Sequence, residues 1–268
     1  MSQKLNNQEL EQLRKAKQLL ENSSLVMELT NLLGKPIELG LNVLPVKAEK
    51  VIAEATNKAL NVALKTAITT METGELGTEK SNITHKVLTG ITGSVSGFFG
   101  LTAIAMELPV STTIMLRSIC DIARSEGFFV DNAEVSLECL TVFALGGPAP
   151  TDDSLNSAYY VARVSMAKAL AEASEYLAER IAGKEIIDRS APALLNFIGK
   201  IASRFSVEVS EEVIAKSIPI LSVLTGGAIN IAFTTHFQKM AEGHFIVRRL
   251  ENTYGKEYIK ALYEKSSI

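Results

Sequence analysis

Three charged side chains at helical spacing stand inside a largely apolar stretch, Pro109 to Gly127, PVSTTIMLRSICDIARSEG. Arg117, Asp121 and Arg124 are spaced four and three residues apart. At about 100° per residue they fall within an arc of roughly 60° on a helix. Ile114, Met115, Leu116, Ile119, Cys120, Ile122 and Ala123 cover most of the remaining surface. A surface helix carries a wide polar face, so this narrow stripe predicts a buried helix whose charges find partners inside the protein. An aspartate between two arginines is ionised and tightly held, a poor state for a general acid or base. The same group suits a structural ion-pair network. It also suits a site in which one free guanidinium receives a carboxylate or an anionic head group.

Further polar residues sit at helical spacing. Tyr159 and Arg163 are i,i+4 in AYYVAR, Arg248 and Glu251 are i,i+3 in VRRLE, and Asn230 lies in the apolar run GGAIN. Each requires a hydrogen-bond partner where it is buried. The expectation is one interior polar network of Arg117, Asp121, Arg124, Tyr159, Arg163, Asn230, Arg248 and Glu251 that serves structure or binding, with no residue assigned to catalysis. His85, His236 and His244 show no HExxH or comparable spacing, so they read as structural or exposed histidines and no metal site is expected. Asp152-Asp153 reads as helix capping. Gly146-Gly147 and Gly226-Gly227 lack the strand–glycine–helix frame of a phosphate loop, and no GxSxG occurs. Cys120 and Cys139, without a CxxC, read as buried free thiols. No cofactor is expected.

The elements that must position these residues are helical throughout. Asn7–Asn22 is a charged amphipathic helix, and Val46–Met71 puts Val51, Ala55, Leu60, Val62, Leu64 and Ile68 on its apolar side. Gly74–Ser81 is a polar breaker. Ile83–Met106, then the charged-stripe helix, then Asp131–Leu145 follow, the last capped by Asp131 or Asn132 and ended by the Gly146–Pro150 run. A long helix starts at Thr151-Asp152-Asp153 and stops at Gly183. Another starts at Asp188 or Ser190 with Pro192 in its first turn. Ser210-Glu211-Glu212 begins the next, which Pro219 interrupts and which continues to about Glu242. His244–Thr253 is a short helix ended by Gly255, and one more closes the chain. No period-2 strand pattern occurs. The fold expected is all-α, a compact multi-helix domain with two glycine-rich apolar central helices. Residues 1–80 read as an N-terminal helical region packed on a core of residues 81–268.

Composition sets the outer limits. The chain has 268 residues, 47% hydrophobic and 21% charged, with a net charge of −3 and no long Lys/Arg run. These values fit a substantial core and exclude a disordered chain. They give no electrostatic footprint for nucleic acid. Two segments approach the length of a bilayer span: Val87–Met106 has 20 residues and Ile218–Thr235 has 18, both without a charge. Gly90, Gly93, Gly97 and Gly100 punctuate the first, Gly226 and Gly227 the second. Small residues at this spacing serve close helix packing in a soluble core and in a membrane alike, so both readings stand. The N-terminus shows no signal-peptide apolar region, so the expected location is cytoplasmic, peripheral at the inner face of the cell membrane.

Several blocks of the chain together resemble the EcsC protein family. They are ELPVSTTIMLRSICDIARSEG (Glu107–Gly127), ECLTVFALGG (Glu138–Gly147), AYYVAR (Ala158–Arg163), IPILSVLTGGAIN (Ile218–Asn230) and EGHFIVRRLENTYG (Glu242–Gly255). The blocks extend from about Gly90 onward, and none is placed in the first 80 residues. The family is one of helical proteins named after a component encoded beside an ABC-type exporter. The resemblance implies a helical fold and brings no catalytic residue, cofactor or reaction. Three function classes follow from the residues and the resemblance. The first is a non-enzymatic, membrane-associated protein that binds lipid or another hydrophobic ligand, accessory to a transport system. The second is a hydrolase-like enzyme built on the buried Arg/Asp/Glu network. The third is a soluble partner-binding scaffold. The expected partner is membrane lipid or a hydrophobic ligand, not nucleic acid. Protein partner and oligomeric state stay undefined.

Overall fold

The computed structural model describes residues 4–22, 24–25, 27–28, 46–73, 100–146, 157–217 and 226–266. Eight α-helices and one 3-10 turn make up this part, and no strand occurs among the described residues. In chain order they are α1 (Asn7–Glu21), α2 (Val46–Thr73), α3 (Gly100–Ser125), α4 (Ala133–Thr141) with the 3-10 turn Val142–Ala144, α5 (Ala158–Ala182), α6 (Pro192–Ser217), α7 (Gly226–Tyr254) and α8 (Lys256–Lys265). The all-α expectation holds.

Local chemistry explains most of the starts. Asn6 and Glu9 form a reciprocal capping box at α1. The Asn132 side chain accepts from the backbone N–H of Glu134 and Val135 at α4, and Ser157 accepts from Tyr160 N at α5. Pro192 occupies the first position of α6, where its missing N–H costs nothing. The expected start at Thr151–Asp153 and the break at Pro219 lie outside the described residues, as do Gly74–Ser81 and His85.

Three expected boundaries do not exist. Pro109 lies inside α3, which runs unbroken from Gly100 to Ser125. Proline removes one ladder hydrogen bond, but the turn around it is tied by Ser111 Oγ donating to Leu108 O at 3.1 Å and Thr113 Oγ1 to Pro109 O at 2.8 Å. Ser210-Glu211-Glu212 does not begin a helix but lies within α6. The Ser210 hydroxyl donates back to Ser206 O at 2.7 Å, and Glu208 and Glu212 are buried. Gly243 does not end a helix either: α7 passes through it to Tyr254. A Cβ there would lie 2.7 Å from Leu20 Cγ and 3.0 Å from Ala16 O, so this glycine lets α1 rest directly on α7.

α7 is the axis of the packing. It touches α1, α3, α6, α8 and the 3-10 turn, while α2 packs on α3, α4 and α6, and α5 bridges α4 and α6. Phe143, Phe205, Phe233 and Phe237 meet at one end, with ring centroids 5.0 to 6.1 Å apart in the contacting pairs. Truncating one such fully buried ring costs about 3–5 kcal/mol. At the other end of α7, Tyr159 and Tyr160 of α5 and Tyr263 of α8 pack edge-on or tilted against one another, with His244 against Tyr159. This second aromatic cluster supports the polar site.

Candidate functional site

The buried polar network forms where α4, α5 and α7 meet. Glu251 is its hub, with 2% of its side chain exposed. Arg163 grips it bidentately, Nη1 to Oε1 at 2.8 Å and Nη2 to Oε2 at 2.9 Å. The Tyr160 hydroxyl donates to Oε1 at 3.1 Å. Arg248, one turn back on α7, has Nη1 3.9 Å from Glu251 Oε2 and Nε 2.6 Å from Glu138 Oε1. Its Nη2 reaches Glu134 Oε1 at the surface, 3.4 Å away. His244 completes the set, with Nε2 3.3 Å from Glu138 Oε1 and Nδ1 3.0 Å from the Tyr159 hydroxyl.

Helical spacing assembles these groups. His244, Arg248 and Glu251 are four and three residues apart on α7, so they share one face. Tyr159, Tyr160 and Arg163 occupy the first turns of α5, against that face. The α4 pair Glu134 and Glu138, also i,i+4, closes the third side.

The protonation states follow from the surroundings. Burial opposes ionisation of Glu138, but His244 and the Arg248 guanidinium outweigh it and hold its pKa down at about 2. Burial pushes the His244 imidazole below its usual range despite Glu138, so the ring is neutral at neutral pH. The carboxylate beside it assigns the ring proton to Nε2, and Tyr159 then donates to Nδ1. Burial raises both phenols, with Glu251 adding to the effect at Tyr160, so both tyrosines stay protonated. Three atoms of the network are buried without a hydrogen-bond partner among the described residues: the acceptor Glu138 Oε2 and, on the far side of the same carboxyl, His244 Nε2 and Arg248 Nε, which face Glu138 Oε1 at ion-pair distance only.

Beside this network lies a cleft of about 650 Å³. Glu138, His244, Arg248, Tyr160 and Arg163 line it together with apolar Leu145, Val164, Met166, Ala167 and Leu170. Glu134, Val164 and Lys256 are exposed and form its rim. The cleft therefore offers a charged inner end and an aliphatic wall, the usual mixture of a small-molecule site.

Four of the eight expected network residues, Tyr159, Arg163, Arg248 and Glu251, meet here. The other four do not. Asp121 is no buried carboxylate: 69% of its side chain is exposed, and it pairs with Arg124 one turn on at 3.0 Å. It shares the outer edge of α3 with the exposed Ser125, which is where solvent reaches the stripe. Arg117 is half-buried on the same helix. Asn230 reaches a different partner, donating from Nδ2 to Glu107 Oε1 at 2.6 Å. Gly100 and Gly226 open α3 and α7, and Gly227 follows Gly226, whereas Gly90, Gly93 and Gly97 lie outside the described residues.

The residues missed by sequence reasoning are Glu134, Glu138, Tyr160 and His244. A lone carboxylate in the apolar run Leu137–Leu145 was the available signal for Glu138. His236, fully buried, has a separate acidic neighbour: its Nε2 lies 3.8 Å from Glu208 Oε2. Burial, aided by Lys239, holds this imidazole down at about 4. Burial and then Glu211 push the Glu208 carboxyl well above the carboxylate range, so the pair is neutral. Cys120 and Cys139 are both buried and free, as expected. No cluster of three or more His, Cys, Asp or Glu arranged for a metal occurs among the described residues.

No curated protein and no solved structure matches the chain. A family model, EcsC protein family, matches residues 7–250. That span takes in α1 and α2, ahead of the blocks that carry the resemblance in the sequence, and it includes every residue of the cleft network except Glu251. The chain belongs to the EcsC protein family.

Proposed function

We propose that this protein is a non-catalytic binding protein that holds an amphiphilic ligand, a lipid or another molecule with a polar head and an aliphatic part, in the cleft between α4, α5 and α7. The observation that carries the reading is Glu138 Oε2, a buried acceptor without a partner among the described residues, on a residue that lines a cleft with an aliphatic wall. A buried unpaired acceptor costs about 1–3 kcal/mol, more when charged, and a ligand head would remove that cost. The hydrolase-like alternative has the Tyr159–His244–Glu138 chain in its favour. However, a carboxyl with a pKa of about 2 is a weak base near neutral pH, and both phenols stay protonated.

The membrane side of the proposal rests on the charge-free segments Val87–Met106 and Ile218–Thr235. No helix among the described residues is long and apolar enough to cross a membrane. Regulated, peripheral attachment in which the ligand is exchanged with the bilayer fits both features. An accessory role beside a transport system fits the same picture.

Native mass spectrometry of the purified full chain, with organic extraction, tests the cleft directly. The expected result is a bound amphiphile at one per chain that is lost in Ala167→Trp, which fills the cleft from an exposed position of its lining. An amphiphile retained in equal amount by Ala167→Trp, or no bound amphiphile together with no binding of added lipid, would remove the cleft from consideration. Flotation with neutral and anionic liposomes tests the attachment, and failure to float with either would leave a soluble scaffold as the better reading.

A further inference from the structure

The polar end of the cleft has a sign. Three carboxylates, those of Glu134, Glu138 and Glu251, face two guanidiniums, those of Arg163 and Arg248. Both guanidiniums already face carboxylates: Arg163 is spent on a bidentate pair with Glu251, and the charge of Arg248 is shared among all three, although its Nε makes no hydrogen bond. An anionic head group entering the inner end would find no arginine whose charge is not already matched by a carboxylate. It would also lie beside Glu138, whose Oε2 is buried and without a partner among the described residues. Like charges so close in a poorly hydrated place repel strongly. Lys256, the further cation of the lining, stands on the exposed rim, where solvent screens it.

We infer that the ligand head recognised by this cleft is a cation, an alkylammonium group that donates to Glu138 Oε2 while its chain lies on Val164, Met166 and Leu170. The inference rests on the amphiphile-binding reading above and adds the chemical class of the head. An ammonium brings the N–H donor the orphan oxygen lacks and the positive charge the two arginines leave unmatched. A neutral hydroxyl would supply only the donor. The neutral state of His244 agrees with this, because the ring adds no competing charge next to Glu138.

Titration calorimetry on the full-length protein at pH 7 tests the inference with three probes of equal chain length: hexylammonium chloride, 1-hexanol and sodium hexanoate. Hexylammonium should bind at least about tenfold more tightly than either other probe. Glu138→Gln keeps an oxygen acceptor but removes the charge, and should shrink that preference to less than about threefold. Glu11→Gln, on the exposed face of α1 and outside the cleft lining, should leave the ranking unchanged. In the wild type, the His244 ring resonances should shift with hexylammonium, a readout that does not depend on any variant folding. Equal or tighter binding of hexanol or hexanoate overturns the cationic head while leaving an amphiphile site in place. So does a preference that survives in a folded Glu138→Gln, or silence of the His244 resonances during binding. Absence of binding by all three probes overturns both the head-group inference and the amphiphile reading.

Discussion

Replacing Glu251 by alanine should be among the most damaging single changes in this protein. Its carboxylate has 2% of the side chain exposed and accepts three hydrogen bonds, two from Arg163 and one from Tyr160. Arg248 lies a further 3.9 Å away. Truncation leaves Arg163, 14% exposed, and Arg248, 18% exposed, without their shared counter-charge. Breaking a buried pair in this way costs roughly 3–5 kcal/mol. For a chain of this size that corresponds to a fall in Tm of roughly 6 to 20 °C. Asp121→Ala is the internal reference, because its surface pair with Arg124 is worth under about 1 kcal/mol, no more than roughly 4 °C. Thermal unfolding followed by circular dichroism at 222 nm compares the two. Removing both partners together, Arg163→Met with Glu251→Leu, should cost less than Glu251→Ala alone, since the uncompensated charge goes with its partner. Equal melting temperatures for Glu251→Ala and Asp121→Ala would mean the α5–α7 network is solvated, and the energetic reading of the site would fail.

Acid should weaken the fold in two stages. His236 has a pKa of about 4 in the folded protein against about 6.5 unfolded. The unfolded chain therefore takes up the proton first, and about 3 kcal/mol is lost as pH falls from 6.5 to 4. Glu138, depressed to about 2, contributes stability that is full above about 4.5 and disappears as pH falls towards 2. Glu208, raised by burial, acts in the opposite direction, so urea midpoints for wild type and His236→Asn across this range isolate the histidine; parallel curves would contradict the assignment. Gly243→Ala should lose about 1–3 kcal/mol despite a better helix propensity, because the new methyl meets Leu20 and the Ala16 carbonyl; an unchanged denaturant midpoint would show that α1 yields freely. Neither Cys120 nor Cys139 should react with a disulfide reagent in the native protein, and both should react in denaturant, because burial and the facing Cys120 raise the Cys139 thiol well above its usual range.

The helical class was legible because periodicity near 3.6 residues persists through almost every segment. Boundaries were less so, for a common reason. Pro109, Ser210-Glu211-Glu212 and Gly243 each carry a local stop or start signal, and tertiary packing overrides all three. Gly243 shows the ambiguity best, since a glycine that ends a helix and one that admits a neighbouring helix look the same in sequence. The site was half legible. Tyr159 with Arg163 and Arg248 with Glu251 sit at helical spacing, and the spacing survives folding. The Arg117–Asp121–Arg124 stripe has the same spacing and failed, because periodicity fixes an arc on a helix and not the depth at which that arc lies. Glu138 and His244 are 106 residues apart, so spacing along one helix could not mark them as a pair; only the tertiary fold brings them within 3.3 Å.

The two buried Glu–His pairs among the described residues receive opposite treatment, and the contrast bears on function. Glu208 beside His236 is left to burial, which keeps its proton and makes the pair neutral. Neutralisation is the inexpensive answer to a carboxyl in a core. Glu138 beside His244 is equally buried, yet Arg248 is brought within 2.6 Å of it and it stays ionised. A stable core gains little from such a pair, since apolar residues of the same volume do as well or better. What separates the two places is access: Glu138 lines the cleft, and Glu208 does not. An unbonded oxygen does not separate them, since Glu208 Oε2 also lacks a partner among the described residues, but a charge kept in being where a cavity reaches it has the form of a receptor for something that enters. If Glu138→Leu paired with Arg248→Met proves at least as stable as wild type while losing the bound amphiphile, the charge is retained for binding. If the double variant is less stable and still binds, the network is structural and the cleft beside it is incidental.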